Sequence, residues 1–220
     1  RAADMRRPIE DGRLGKLRRV TSGFTFHWDE VPLTDIRMQR ELGGGSLMDL
    51  GWYCVRATMW ATGALPTRVY GTARYVQDVD MNFSAVMWYD GDIMASFDCG
   101  FDVGWRKWFE VAGTHGSLVC DDFVNPWDSE NPRYWLHGAE GKLSEHVSAP
   151  PIQEQCMIEE FCRIVRSSRI EERFYDGADR MALRLRQRAR FRTPIANKVT
   201  GFASGELLYQ LRDRNEGGPQ

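Results

Sequence analysis

Glu41–Trp60, ELGGGSLMDLGWYCVRATMW, is the stretch around which the rest of the chain is organised. Gly43, Gly44 and Gly45 close a polar loop, and Ser46 then stands where a helix N-cap belongs, with Asp49 three residues on and an apolar run behind it. That is an S-x-x-D capping signature, and it predicts a helix from Ser46 to about Ala61, stopped by Gly63 with Pro66 just beyond. Wound at roughly 100° per residue, the segment is apolar on most of its circumference and leaves one polar stripe. The stripe is Asp49, Tyr53, Arg56 and Trp60. It begins at the helix N-terminus, where unpaired N–H groups and the helix dipole favour negative charge. Two accounts of these residues stand side by side. In one, Asp49 is a capping carboxylate, Tyr53 a core aromatic with a satisfied hydroxyl, and the glycines only turn the chain. In the other, a titratable stripe beside a loop of bare backbone is a site.

GGGSLMDLGWY, Gly43–Tyr53, resembles the GGG-x-L-x-D-x-G-x-H segment of the Gfo/Idh/MocA oxidoreductases, and the resemblance extends from about Met5 to about Tyr175. Most of that family carries His where this chain has Tyr53. The subgroup with Tyr there includes dimeric dihydrodiol dehydrogenase, NADP-dependent xylose dehydrogenase and glucose–fructose oxidoreductase. The approach segment Asp35–Gly45, DIRMQRELGGG, and the pair Tyr53–Cys54 are similar to the same subgroup.

With 220 residues the chain has ample length for a core, as one large domain or two small ones. A net charge of −2, with 42% hydrophobic and 27% charged residues, is that of an ordinary globule and gives no global attraction to nucleic acid or membrane. No apolar run approaches the roughly 18 residues of a membrane span, and no signal peptide is legible. The five cysteines are scattered without a C-x-x-C, which points to reduced thiols and a cytoplasmic setting. With four widely spaced histidines, no metal site is expected. The chain begins at Arg1, and a fragment of a longer protein is the expectation.

Before the organising stretch, Ala2–Asp11 reads as a short helix and Lys16–Trp28 as a strand rich in β-formers. Asp29–Leu42 is a polar loop. Its Arg37 reaches a carboxylate or phosphate if the loop folds over the Gly43–Gly45 turn, and is otherwise a surface arginine. After it the texture is that of strands: Thr67–Val76, then Asn82–Tyr89 and Asp92–Phe101 about the hairpin signal Asp90-Gly91. Lys107–Ala112 and Ser117–Phe123 flank a second turn, and Arg133–His137 and Leu143–Val147 a third. One face of this meander should pack on the Ser46–Ala61 helix; the other is either covered by a second subunit or an exposed sheet face with aromatics scattered on it. Gln153–Ser167 reads as an amphipathic helix. Beyond it, arginines alternate from Arg184 to Arg192 at a period that suits neither a helix face nor a half-buried strand.

The expected fold is therefore α+β, an open and mostly antiparallel sheet with helices on one face. Residues 1–176 form the substrate and oligomerisation domain and 177–220 an atypical basic tail, diverged or frame-shifted. No G-x-G-x-x-G follows a strand, so no dinucleotide-binding domain is expected in this chain. The resemblance implies that such a domain precedes this one. It also supplies a Glu-Lys-Pro lysine that lowers the pKa of the phenol, which is otherwise near 10 and poorly matched to neutral pH.

The activity implied is hydride transfer between a sugar, polyol or related hydroxy compound and NAD or NADP. Tyr53 is the proton-transfer residue and Asp49 the residue that orients the substrate. Arg37, Gly43, Gly44 and Gly45 lie close to substrate or cofactor, and the chain pairs as a homo-oligomer through its sheet. A sensor of the same fold without turnover, or a structural dimerisation module, are the other classes the residues allow.

Overall fold

The computed structural model describes residues 1–150, 153–166 and 209–210. Helix α1 is Ala2–Glu10, α2 is Trp52–Thr62 and α3 is Gln153–Arg166. The strands are β1 Leu17–His27, β2 Arg68–Val76, β3 Val79–Tyr89, β4 Ile93–Gly100, β5 Asp102–Gly113, β6 Gly116–Cys120, β7 Arg133–Gly138, β8 Leu143–Val147 and β9 Tyr209–Gln210. They form one sheet in the order β8-β7-β6-β5-β1-β4-β3-β2-β9. Among the described residues β1 and β4 are the one parallel pair, and all other neighbours run antiparallel. The α+β architecture, with an open, mostly antiparallel sheet and helix on one face, is the one expected. The alternating arginines of 184–192 lie outside the described residues.

The hairpins are right, but the sheet is not one continuous meander. β4 and β5 are separated in sequence by Phe101 alone, yet β1 lies between them. Phe101 makes the crossing possible: it is fully buried, its N–H donates to the Met81 carbonyl and its own carbonyl accepts from Trp28 N, both at 2.9 Å. A lone strand at the N-terminus, Leu17–His27, thus becomes the centre of the sheet. Nothing local announces this, because the partners that surround it are more than 60 residues away in sequence. The Asp90-Gly91 turn also needs a third residue, since Tyr89 pairs with Ile93 and Asp92 takes a positive φ of 60°. The β2–β3 turn is a two-residue one on Gln77 and Asp78, both at positive φ, although neither is glycine.

Alternation sorts the strands. Val20 and Phe24 of β1, Ala95, Phe97 and Cys99 of β4, Phe83, Ala85 and Met87 of β3, and Phe109 and Val111 of β5 are buried toward α2. They meet Leu47, Leu50, Cys54, Val55 and Ala61. Each large side chain buried there is worth about 1.5–3 kcal/mol, and this seam anchors the organising stretch to the sheet. The opposite face carries Thr21, Thr72, Ser84, Ser96, Asp98, Tyr70 and Trp108 around a shallow cleft of about 310 Å³. α3 presents Ile158, Phe161 and Val165 as exposed side chains.

Candidate active site

The organising helix starts differently from its sequence signature. Leu47–Gly51 is a turn of π-helix, and regular α-helix runs from Trp52 to Thr62, ending at Gly63, whose N–H donates to the Met59 carbonyl. Ser46 is in the helical region and does not cap through its side chain. The cap comes from β3. Asp80, buried to 1% exposure, accepts from Leu47 N at 2.6 Å and from Ser46 Oγ at 2.9 Å. A carboxylate at this point suits the helix dipole as well as the unpaired N–H. S-x-x-D therefore marked the helix start correctly and misnamed its cap. The true capping residue is 34 positions downstream, and its one local signal is a carboxylate in an apolar strand, Val79-Asp80-Met81.

The glycine turn is built on the same contact. Gly43, Gly44 and Gly45 donate their N–H groups to the carbonyls of Arg40, Gln39 and Arg37. Gly45 has φ +112°, and a Cβ there would stand 2.2 Å from Asp80 Oδ1. A Cβ on Gly44 would stand 2.5 Å from the Arg37 carbonyl oxygen. Both glycines are thus required by packing inside the turn, whereas nothing lies within 4 Å of the Cβ position of Gly43. With all three amides engaged, the turn offers no cradle for the phosphates of a dinucleotide.

Arg37 does fold over the turn. Asp35 Oδ1 accepts from Arg37 N at 2.8 Å and begins a short 3₁₀ turn, Ile36–Met38. The guanidinium then donates from Nε to Asp49 Oδ2 at 2.8 Å, with Asp35 Oδ1 at 3.5 Å from Nη1 and the Trp28 ring centroid at 5.8 Å. The hydrogen bond to Asp49 raises the Arg37 pKa further, against a smaller opposing effect of burial. Both side chains of the pair are about one-third exposed (38% and 31%), so it is worth roughly 0.2–1 kcal/mol of stability. Its larger effect is orientation: the carboxylate presents its second oxygen from a fixed position.

Tyr53, 39% exposed, packs its ring edge-on against Phe24 at 5.5 Å and Trp52 at 5.2 Å. With Arg56 and Trp60 it lines an apolar cleft of about 340 Å³ between α1 and α2, floored by Phe109 and Phe123. Asp49 does not line this cleft. The π turn slips the helical register by a residue between the two, so the predicted stripe divides: Tyr53, Arg56 and Trp60 stay together and Asp49 turns to Arg37.

Sequence reasoning missed the aromatic run beside this site. Trp28, Phe26, Trp105 and Trp127 follow one another with ring centroids 5.8, 5.7 and 6.4 Å apart, and the last two are 59% and 55% exposed. Lys107 Nζ sits 3.6 Å from the Trp127 ring centroid. Burial lowers its pKa, with Asp122 opposing. Trp28 at one end touches Arg37, so the run leads away from the Arg37–Asp49 pair. No group of three or more His, Cys, Asp or Glu able to hold a metal occurs among the described residues, and no helix among them is long and apolar enough to cross a membrane.

Comparison with known proteins gives the family of the chain. The chain is 31% identical over 154 residues to D-xylose 1-dehydrogenase (NADP(+)) 2 of Haloferax volcanii, covering 69% of this chain and 46% of that protein. It is 32% identical over 120 residues to dTDP-3,4-didehydro-2,6-dideoxy-alpha-D-glucose 3-reductase of Saccharopolyspora spinosa, covering 54% and 36%. The fold matches that of the aldose-aldose oxidoreductase of Caulobacter crescentus with a TM-score of 0.73 at 20% identity, over 86% of this chain and 58% of that one. The chain thus spans less than half the length of these curated relatives. Residues 2–119 match the model of the GFO/IDH/MocA C-terminal domain, and the chain belongs to that family.

Proposed function

We propose that this chain is the substrate-binding part of an NAD(P)-dependent oxidoreductase acting on the hydroxyl-bearing carbon of a sugar, polyol or related compound, and that it stands with the Tyr-bearing members of its family. The observation that carries this reading is the half-exposed Tyr53 in the apolar cleft between α1 and α2, with the Arg37–Asp49 pair on the turn just before it, outside that cleft. The chemistry that NAD or NADP supplies when bound is to take or give a hydride. This chain contributes the proton-transfer and substrate-orienting groups. The Tyr53 phenol takes the proton of the substrate hydroxyl in oxidation and returns it in reduction. Asp49, held by Arg37, accepts a hydrogen bond from a neighbouring hydroxyl and fixes the carbon in line. The Gly43–Gly45 amides are all engaged, so this turn does not hold the phosphates of the dinucleotide. The same reading includes a homo-oligomer formed through the sheet face that carries Tyr70 and Trp108, and a cytoplasmic enzyme.

The test is kinetic, on the protein that includes the nucleotide domain. Tyr53→Phe keeps the ring against Phe24 and Trp52 and removes only the hydroxyl. It should melt as the parent does and lose about 10²–10⁴ in kcat, the usual worth of a positioned acid or base. Asp49→Asn should raise KM with a smaller loss of kcat. Near-full kcat in Tyr53→Phe refutes the assignment. Loss of stability without loss of activity in Asp49→Asn reduces that residue to a structural partner of Arg37.

A further inference from the structure

A third cleft lies at the β7–β8 end of the sheet. It has a volume of about 360 Å³ and is lined by Arg13, Leu14, His115, Leu136, His137, Gly138, Lys142, Ser144 and His146. Three tight segments form it: the loop between α1 and β1, the β5–β6 turn and the β7–β8 turn. Their backbones are tied down. His115 N donates to the Leu14 carbonyl and Thr114 N to the Lys16 carbonyl, both at 3.0 Å, while Gly138 N donates to the Lys142 carbonyl at 2.8 Å. From the start of β1 to Phe24, which touches Tyr53, the strand runs on the order of 25 Å, so this cleft is separate from the Asp49–Tyr53 site.

We propose that the cleft binds a phosphate-type oxyanion, free or carried on a small metabolite, through Arg13, Lys142, His115 and His146. Charge is the first ground. Four cationic or protonatable side chains converge in a chain whose net charge is −2. Of the carboxylates around them, Asp11 pairs with Arg13 itself and the others are engaged elsewhere or peripheral. Asp11 Oδ2 accepts from Arg13 Nε at 2.9 Å, which orients that guanidinium. Glu145 pairs with Arg133 at 2.8 Å, and Asp4 of α1 pairs with Arg7 at 2.8 Å. Glu140 is exposed on the turn itself. Tyr134 stacks on His146 at 5.0 Å and 11° and holds that ring flat.

Donor geometry is the second ground. Ser144 Oγ and His146 Nε2 are 3.0 Å apart. When the imidazole is neutral at Nε2, the hydroxyl donates to it. When the imidazole is protonated, Nε2–H donates to the hydroxyl, and the hydroxyl proton turns outward to an anion. A protonated ring thus adds a charge and leaves the hydroxyl free to donate to the anion. Strand alternation sets His137 on the other side of β7 from Leu136, and it serves at the rim.

The test is an NMR titration of the histidine ring signals of this chain with inorganic pyrophosphate at pH 6.0, with glucose 6-phosphate in parallel. His27 is the internal control. It is paired with Asp29 at 2.8 Å at the far end of β1. The expected result is saturable shifts of His115 and His146 and none of His27. Arg13→Gln with Lys142→Gln, both exposed positions, should weaken binding at least tenfold while His115 and His146 keep their unliganded positions. Equal affinity for the two probes assigns the phosphate group alone, and tighter glucose 6-phosphate assigns a phosphorylated sugar. Shifts that are linear, reproduced by potassium chloride at equal ionic strength, shared by His27 or unchanged in the double variant overturn the proposal.

Discussion

Gly45→Ala tests whether the glycine turn and the buried cap are one device. The substitution acts twice. At φ +112° an alanine is strained, by about 1–2 kcal/mol on the scale of left-handed L-residues. Its Cβ would also stand 2.2 Å from Asp80 Oδ1 and 2.9 Å from Asp80 Cγ, in a place where the carboxylate is buried and holds both Leu47 N and Ser46 Oγ. Asp80 must move, and displacing it costs the cap and leaves buried donors unpaired, about 1–3 kcal/mol. The sum is about 2–5 kcal/mol, and at roughly 2–4 °C per kcal/mol for a domain of this size the melting temperature should fall by about 4–20 °C. Urea denaturation of Gly45→Ala, Asp80→Ala and the double variant separates the parts. With Asp80 shortened the clash disappears, so the double variant should be more stable than the sum of the single losses predicts, by about 1–3 kcal/mol. Losses that add within about 0.5 kcal/mol, or a Gly45→Ala cost below about 1 kcal/mol, would show that the turn relaxes independently of Asp80.

Two further outcomes are expected. Asp102 is the clearest acid-sensitive contact: burial opposes its ionisation, but hydrogen bonds from Asn82 Nδ2, at 3.0 Å, and Arg74 outweigh that and lower its pKa. A lowered carboxylate pKa stabilises the fold above the ordinary range near 3.9 and loses that contribution as pH falls through the folded value. Acid denaturation curves should therefore drop less steeply below about pH 4 in Arg74→Met than in the parent, and identical slopes would refute the contact. On the open sheet face, Trp108→Glu should convert a homo-oligomer to monomer in sedimentation velocity without lowering the melting temperature of the subunit. An unchanged sedimentation coefficient would remove that face from the assembly.

The sequence by itself determined the class of fold and the neighbourhood of the candidate site. Hairpin signals and β-formers after one long helix were enough for an antiparallel α+β domain, because alternation and turn chemistry act over a few residues. The Arg37–Asp49 contact was within reach for the same reason: the two partners are 12 residues apart, on either side of one glycine turn. What only the tertiary structure decided is whatever depends on distant chain. Asp80 became the cap because β3 lies under the turn. β1 became the central strand because Phe101 lets the chain cross it. Trp28, Phe26, Trp105 and Trp127 became one run because β1 and β5 are neighbours. The stripe of Asp49 and Tyr53 divided because a single π turn changed the helical period, an adjustment fixed by the packing of Leu47 and Gly51 on the sheet. Local propensity does not encode which strand a buried carboxylate comes from, and that is where the pattern stopped and the packing took over.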